Sequence, residues 1–126
     1  MSYIRYKNNN LFVENVSVRG LTSKFGSPFY LYSEGNIIEN YKSFSNNFKK
    51  SNPLICFSVK ANSNIQILKI LKKMGSGADV VSGGELLKAI KSGIKPNKIV
   101  FSGVGKTEDE IKLAIRKNIL LINVES

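Results

Sequence analysis

The sequence predicts an α/β protein built on a parallel sheet, and three observations lead there. From Leu54 onward short apolar runs alternate with amphipathic stretches, and successive runs start about twenty residues apart. Each of those amphipathic stretches opens on Ser or Thr with Glu or Gln three residues later, the signature of a helix N-terminus. The composition, 126 residues of which 42% are hydrophobic and 22% charged, suits one soluble globular domain and is too apolar for a disordered tail. A complete (β/α)8 barrel usually takes about 250 residues, so a fold of that size could be present here only in part.

Residues 1–26 read as an opening segment in which Leu11–Val18 alternates like a strand, punctuated by Gly20, Gly26 and the Ser27-Pro28 pair. Phe29–Tyr32 is a short apolar strand candidate. Ser33 then caps a predicted helix whose Ile37, Ile38, Tyr41, Phe44 and Phe48 recur at helical spacing until Asn52-Pro53. Leu54–Val59 is a continuous apolar run, as expected of a parallel strand covered on both faces. Ser63 with Gln66 predicts a capping box, followed by an apolar face of Ile67, Leu68, Leu71 and Met74 and a stop at Gly75. Ala78–Val81 is the next strand, Ser82 with Glu85 the next box, and Leu86, Leu87 and Ile90 the next helix face, ending at Gly93. Lys98–Phe101 is a strand, Thr107 with Glu110 a third box, and Ile111, Ala114 and Ile115 a helix face. Ile119–Val124 is the last strand.

Right-handed crossovers would bring every strand C-terminus to one edge, where such folds keep their chemistry. The residues just past each strand are therefore the candidates: Lys60, Ala61 and Asn62; Ser82 and Gly83; Ser102, Gly103 and Gly105; Glu125 and Ser126.

The formal charge of +10 raises nucleic acid or an anionic membrane as partners, but its distribution argues against both. Sixteen of the 19 basic residues are Lys, spread from Lys7 to Lys117 over predicted outer faces without an Arg-rich block or aromatic platform. No apolar run approaches the roughly 18 residues of a membrane span, and Met1–Lys7 has no signal-like apolar region. The single Cys56, among apolar neighbours, reads as a buried, inert thiol in a reducing compartment. With no His in the chain, His-based triads and the common metal sites are excluded within it.

Three motifs carry candidate chemistry. Gly105-Lys106-Thr107 lies between strand and helix like a phosphate loop, but Val100 stands where that loop needs its first Gly, so Thr107 reads as an N-cap and Lys106 as solvated. The glycines of Gly75-Ser76-Gly77-Ala78-Asp79 leave a helix and enter a strand, the reverse of a dinucleotide fingerprint, whereas Ser82-Gly83-Gly84 could hold an anion or be a plain cap. Strand alternation puts Cys56, Ser58 and Lys60 on one face, with an ammonium at its C-terminal end. A buried Lys has a depressed pKa and becomes an amine nucleophile able to form a Schiff base with an aldehyde cofactor. The alternative is a structural ion pair with Asp79 on the neighbouring strand.

Four blocks then resemble a known family: Phe57-Ser58-Val59-Lys60-Ala61-Asn62-Ser63, Gly77-Ala78-Asp79-Val80-Val81-Ser82-Gly83-Gly84-Glu85-Leu86, Ile99-Val100-Phe101-Ser102-Gly103-Val104-Gly105-Lys106 and Ile122-Asn123-Val124-Glu125-Ser126. With Ser27–Tyr32 as a fifth, they are similar to the N-terminal part of the diaminopimelate decarboxylases. That family belongs to a wider group, including ornithine decarboxylase and alanine racemase, that shares a pyridoxal-phosphate barrel. The resemblance implies an incomplete (β/α)8 TIM barrel with about four of eight parallel strands. Residues 27–126 would form the N-terminal half of that barrel, and residues 1–26 are a candidate part of an accessory β domain.

The resemblance assigns Lys60 as the catalytic amine that carries pyridoxal 5'-phosphate, and Asp79 as an acidic residue close to the cofactor. The family's ring-stacking His, phosphate loop and substrate-binding Arg residues come later than Ser126, which implies an N-terminal fragment inactive by itself. The implied activity of the full-length enzyme is decarboxylation of a small-molecule substrate, meso-diaminopimelate, to L-lysine, in a cytoplasmic homodimer. The alternatives are a decarboxylase of ornithine, arginine or carboxynorspermidine, or a non-catalytic barrel relative.

Overall fold

The structure, a computed structural model, describes residues 3–125. Met1 and Ser2 of the opening segment, and Ser126 of the last predicted strand edge, lie outside them. The chain divides into two compact units, Met1–Asn40 and Tyr41–Ser126.

The first unit opens with three antiparallel strands in sequence order, β1 (Ile4–Lys7), β2 (Asn10–Val13) and β3 (Val16–Ser17). Asn8 and Asn9 make the first turn at φ of 48° and 57°, a left-handed conformation that Asn tolerates and tight hairpins require. The alternating run Leu11–Val18 is therefore not one strand, because the chain turns at Glu14-Asn15. Helix α1 (Val18–Phe25) follows, a helix the sequence reading missed because Gly20 and the short length weaken its signal; Ser17 caps it by accepting from the Gly20 amide at 3.3 Å. Phe29–Tyr32 is exposed and has no ladder partner among the described residues, so the expected strand there is absent. Apolar content makes a strand only where a neighbouring strand accepts its hydrogen bonds. Ser33 does begin helix α2 (Glu34–Asn46): its Oγ accepts from the Asn36 amide at 3.0 Å and donates to the Glu14 carboxylate at 2.6 Å.

The second unit is built on a four-stranded parallel sheet in sequence order, β4 (Cys56–Ser58), β5 (Gly77–Val80), β6 (Ile99–Phe101) and β7 (Leu121–Ile122). Helices α3 (Ile65–Lys73), α4 (Gly83–Lys91) and α5 (Glu108–Arg116) make the crossovers. Its core joins Leu68, Leu86, Ala89 and Ala114 of the helices to Ala78, Val80, Ile99 and Phe101 of the sheet, each at 0% exposure. Burying side chains of the Leu and Phe class stabilises by about 1.5–3 kcal/mol apiece, which makes this layer the main source of the fold.

The first and last strands of this sheet are shorter than their apolar runs. β4 covers only Cys56–Ser58, because after Ser58 the backbone winds into a one-turn 3-10 helix, Val59–Ala61. β7 keeps only Leu121–Ile122, paired with β6 alone. Ser63 does not cap α3; Asn64 does, accepting from the Gln66 amide at 2.8 Å, while Ser63 Oγ accepts from Lys88 Nζ. Ser82 caps α4, but the Glu85 carboxylate accepts from the Val81 amide instead of closing a box. The box at Thr107 and Glu110 is complete. Leu87 and Ile115, placed on the buried faces by the sequence reading, are 49% and 65% exposed. A helix turns about 100° per residue, so the neighbours of the buried Leu86 and Ala114 point away from the sheet.

Candidate active site

Parallel pairing sends all four strand C-termini to one edge. There Ser58 and Asp79 are register partners on the face opposite the buried Ala78 and Val80. The half-buried Asp79 carboxylate accepts from Ser102 Oγ at 2.6 Å through Oδ1, and from Ser58 Oγ at 3.4 Å through Oδ2. Asn123 Nδ2 in turn donates to Ser102 Oγ at 2.9 Å. Each strand, or the residues directly after it, thus contributes one small polar side chain to a single row. The 2.6 Å bond has the length of a charge-assisted hydrogen bond, whereas the 3.4 Å contact is at the weak limit.

Lys60 lies two residues beyond Ser58, in the middle of the one-turn 3-10 helix. The burial expected of it is not found: Lys60 is exposed, because the change from extended to 3-10 backbone ends the two-residue alternation before it reaches this side chain. Among the described residues its ammonium makes no hydrogen bond or ion pair, so the structural pair with Asp79 is not formed. The amine is free and accessible at the edge of the sheet.

Lys106 corrects the sequence reading in the opposite sense. Read as solvated, its side chain is only 8% exposed. Nζ donates to the Gly103 carbonyl at 2.6 Å and to Glu125 Oε2 at 3.0 Å, and stands 6.0 Å from the centre of the Phe101 ring. A buried ammonium is tolerable only with such partners. Gly103 makes the turn at φ 100°, a conformation that a side chain would strain.

The N-terminus of α4, a candidate anion cradle in the sequence, already holds an anion. Glu110 of α5 accepts from the Gly83 amide at 2.7 Å through Oε1 and from the Thr107 amide at 3.0 Å through Oε2. Those two amides, Gly83 first, hold the Glu110 carboxyl below the ordinary glutamate range. Cys56 is half-buried rather than fully buried; desolvation, and next the charge of Asp79, push its thiol upward. Gly77 is required beside it, since a Cβ there would collide with the Lys98 carbonyl oxygen and lie 2.7 Å from Cys56 Sγ.

Sequence reasoning named Lys60 and Asp79, and the structure puts them on neighbouring elements at the same edge. It named no role for Ser58, Ser102 or Asn123. Their signal was a small polar residue at an inward position at the end of an otherwise apolar run. No group of three or more His, Cys, Asp or Glu able to hold a metal occurs among the described residues, and no helix there is long and apolar enough to cross a membrane.

The geometry fits the amine end of an aldehyde cofactor: a free primary amine next to a strand that carries a fixed carboxylate. It does not offer a phosphate cradle at α4, because the Gly83 amide is taken by Glu110.

Comparison with known proteins places the chain in a family. Residues 34–126 match the family model described as pyridoxal-dependent decarboxylase, pyridoxal binding domain. Diaminopimelate decarboxylase of Aquifex aeolicus is 47% identical over 98% of this chain, and that of Helicobacter pylori 51% identical over 84%. The crystal structure of diaminopimelate decarboxylase from M. jannaschii in complex with L-lysine superposes with a TM-score of 0.92 at 39% identity, covering 98% of this chain and 30% of its own. The chain spans 29% and 26% of the length of the A. aeolicus and H. pylori relatives.

Proposed function

Since the chain belongs to the pyridoxal-dependent decarboxylases, we propose that it supplies the cofactor amine, Lys60, and its acidic neighbour, Asp79, to a diaminopimelate decarboxylase acting on meso-diaminopimelate to give L-lysine. The observation that carries this is the free amine of Lys60 at the strand C-terminal edge, beside the strand whose Asp79 is held as an acceptor by Ser102. Lys60 would hold pyridoxal 5'-phosphate through its aldehyde carbon; when bound, the cofactor supplies an electron sink for the carbon–carbon bond broken as carbon dioxide leaves. Asp79 would contribute a negative charge of fixed orientation on the neighbouring strand. Lys106 and Glu125 brace the loops after β6 and β7.

The substrate reading is supported by relatives carrying the name diaminopimelate decarboxylase at 40–51% identity. In this reading residues 27–126 form half of a cofactor barrel, residues 1–26 with their antiparallel strands belong to an accessory β domain, and the whole enzyme is a cytoplasmic homodimer.

Borohydride reduction of the full-length, pyridoxal-phosphate-loaded enzyme followed by peptide mapping tests the amine. The pyridoxyl group is expected on the peptide containing Lys60, and Lys60→Ala should leave no labelled peptide. Label on Lys69, Lys72 or Lys106 would overturn the assignment. Carbon dioxide release from meso-diaminopimelate by the full-length enzyme, compared with release from ornithine, tests the substrate.

A further inference from the structure

The hydrogen bonds at Asp79 have a direction. The amide nitrogen of Asn123 can only donate, and it donates to Ser102 Oγ at 2.9 Å. With its oxygen accepting that bond, the hydroxyl of Ser102 turns its own proton to Asp79 Oδ1 at 2.6 Å. Asp79 Oδ1 is thereby an acceptor, fixed in direction by the hydroxyl of Ser102. Among the described residues the other oxygen, Oδ2, has only the 3.4 Å contact with Ser58, and so keeps capacity for a further partner. The donor end of the chain is itself braced. Asn123 follows β7 directly and its backbone amide bonds the Phe101 carbonyl at 2.9 Å, while Glu125, two residues on, is tied to the buried Lys106.

We infer that Asn123 and Ser102 are positioning residues of a one-way hydrogen-bond chain that fixes the Asp79 carboxylate, with Oδ1 engaged and Oδ2 left to face the cofactor amine of Lys60. This rests on Lys60 being the cofactor amine. The charged and titratable groups around Asp79 are few. Cys56 of β4 is close enough for its thiol to respond to the Asp79 charge, and Lys60 follows on the 3-10 helix. β6 and β7 carry no titratable side chain, and Glu125 beyond β7 is paired with Lys106.

Ser102 and Asn123 act on the amine only through Asp79, and that separates positioning from general structural support. The test is a spectroscopic pH titration of the full-length, pyridoxal-phosphate-loaded enzyme, reading the midpoint at which the chromophore on Lys60 loses its proton. A fixed carboxylate raises that midpoint. Ser102→Ala is expected to lower it by about one pH unit, the scale of one lost charge-assisted bond, and Asn123→Ala by about half as much. Ser102→Thr keeps the hydroxyl and should restore the original midpoint. In an Asp79→Asn background, Ser102→Ala should add nothing further, as coupled residues do.

An unchanged midpoint in Ser102→Ala, or an equal drop with and without the Asp79 carboxylate, would overturn the inference while leaving Lys60 in place. Borohydride label away from Lys60 would instead remove the functional reading and this inference with it.

Discussion

The two sides of the same sheet edge are built differently. On the β6 and β7 side the polar side chains are tied to one another: Ser102 to Asp79, Asn123 to Ser102, and Lys106 to Gly103 and Glu125. On the β4 side Lys60 stands exposed on a single 3-10 turn, with no bond to its ammonium among the described residues. The difference shows how a chemical edge can combine a rigid acid with an available amine. The acid keeps its orientation because neighbours on adjacent strands hold it, and the amine stays accessible because no partner among the described residues engages it.

Breaking the common support should have the largest effect. Phe101 of β6 is fully buried with the Lys106 ammonium over its ring, so Phe101→Ala should cost about 3–5 kcal/mol in chemical denaturation and loosen the tied side. Lys106→Met keeps the apolar stem and removes the charge. Because Glu125 is 41% exposed and can turn to water, the cost should be about 1–2 kcal/mol. A larger loss, matching that of a fully buried pair, would mean the two loops depend on the brace more than their exposure indicates.

Acid sharpens the comparison further. Glu110 has its folded pKa depressed by the Gly83 and Thr107 amides, so its contribution is present above the unfolded glutamate value and is lost as pH falls through the folded one. Glu110→Gln should therefore flatten the acid limb of a stability-against-pH curve below the ordinary glutamate pKa of 4.5, while near pH 7 the stability falls. An acid limb unchanged by the substitution would remove Glu110 as the tie between α5 and α4. The smallest effect belongs to the free side: Lys60→Ala should change stability by no more than about 0.5 kcal/mol, as at exposed positions in general, while abolishing the borohydride label. A marked destabilisation would reveal a partner for the amine.

The regular part of the molecule was legible to within a few residues. Strands at Gly77–Val80 and Ile99–Phe101, and helices starting after Ser82 and Thr107, follow from local signals: apolar runs, caps and glycine stops. Legibility failed where a local signal lacked its tertiary partner. Phe29–Tyr32 has strand composition but no neighbouring strand among the described residues, and Leu54–Val59 gives up its last residue to a 3-10 turn that apolar content does not encode. Ser63 had the right residue type to cap α3, yet Asn64 took the position and Ser63 paired with Lys88.

The same division runs through the site. Sequence by itself determined the βα rhythm, the single sheet edge, and the family resemblance that singles out Lys60 and Asp79, because those are properties of residue type and spacing along one stretch of chain. Only the tertiary structure decided that Lys60 is exposed and Lys106 buried, and that Glu110 fills the α4 N-terminus. It alone decided that Ser102 and Asn123 form a directed chain onto Asp79. Each of those joins residues about 20 or more positions apart, or depends on how neighbouring elements shut out water. Burial and long-range hydrogen bonding are set by what the folded chain places opposite a side chain, which no local pattern contains.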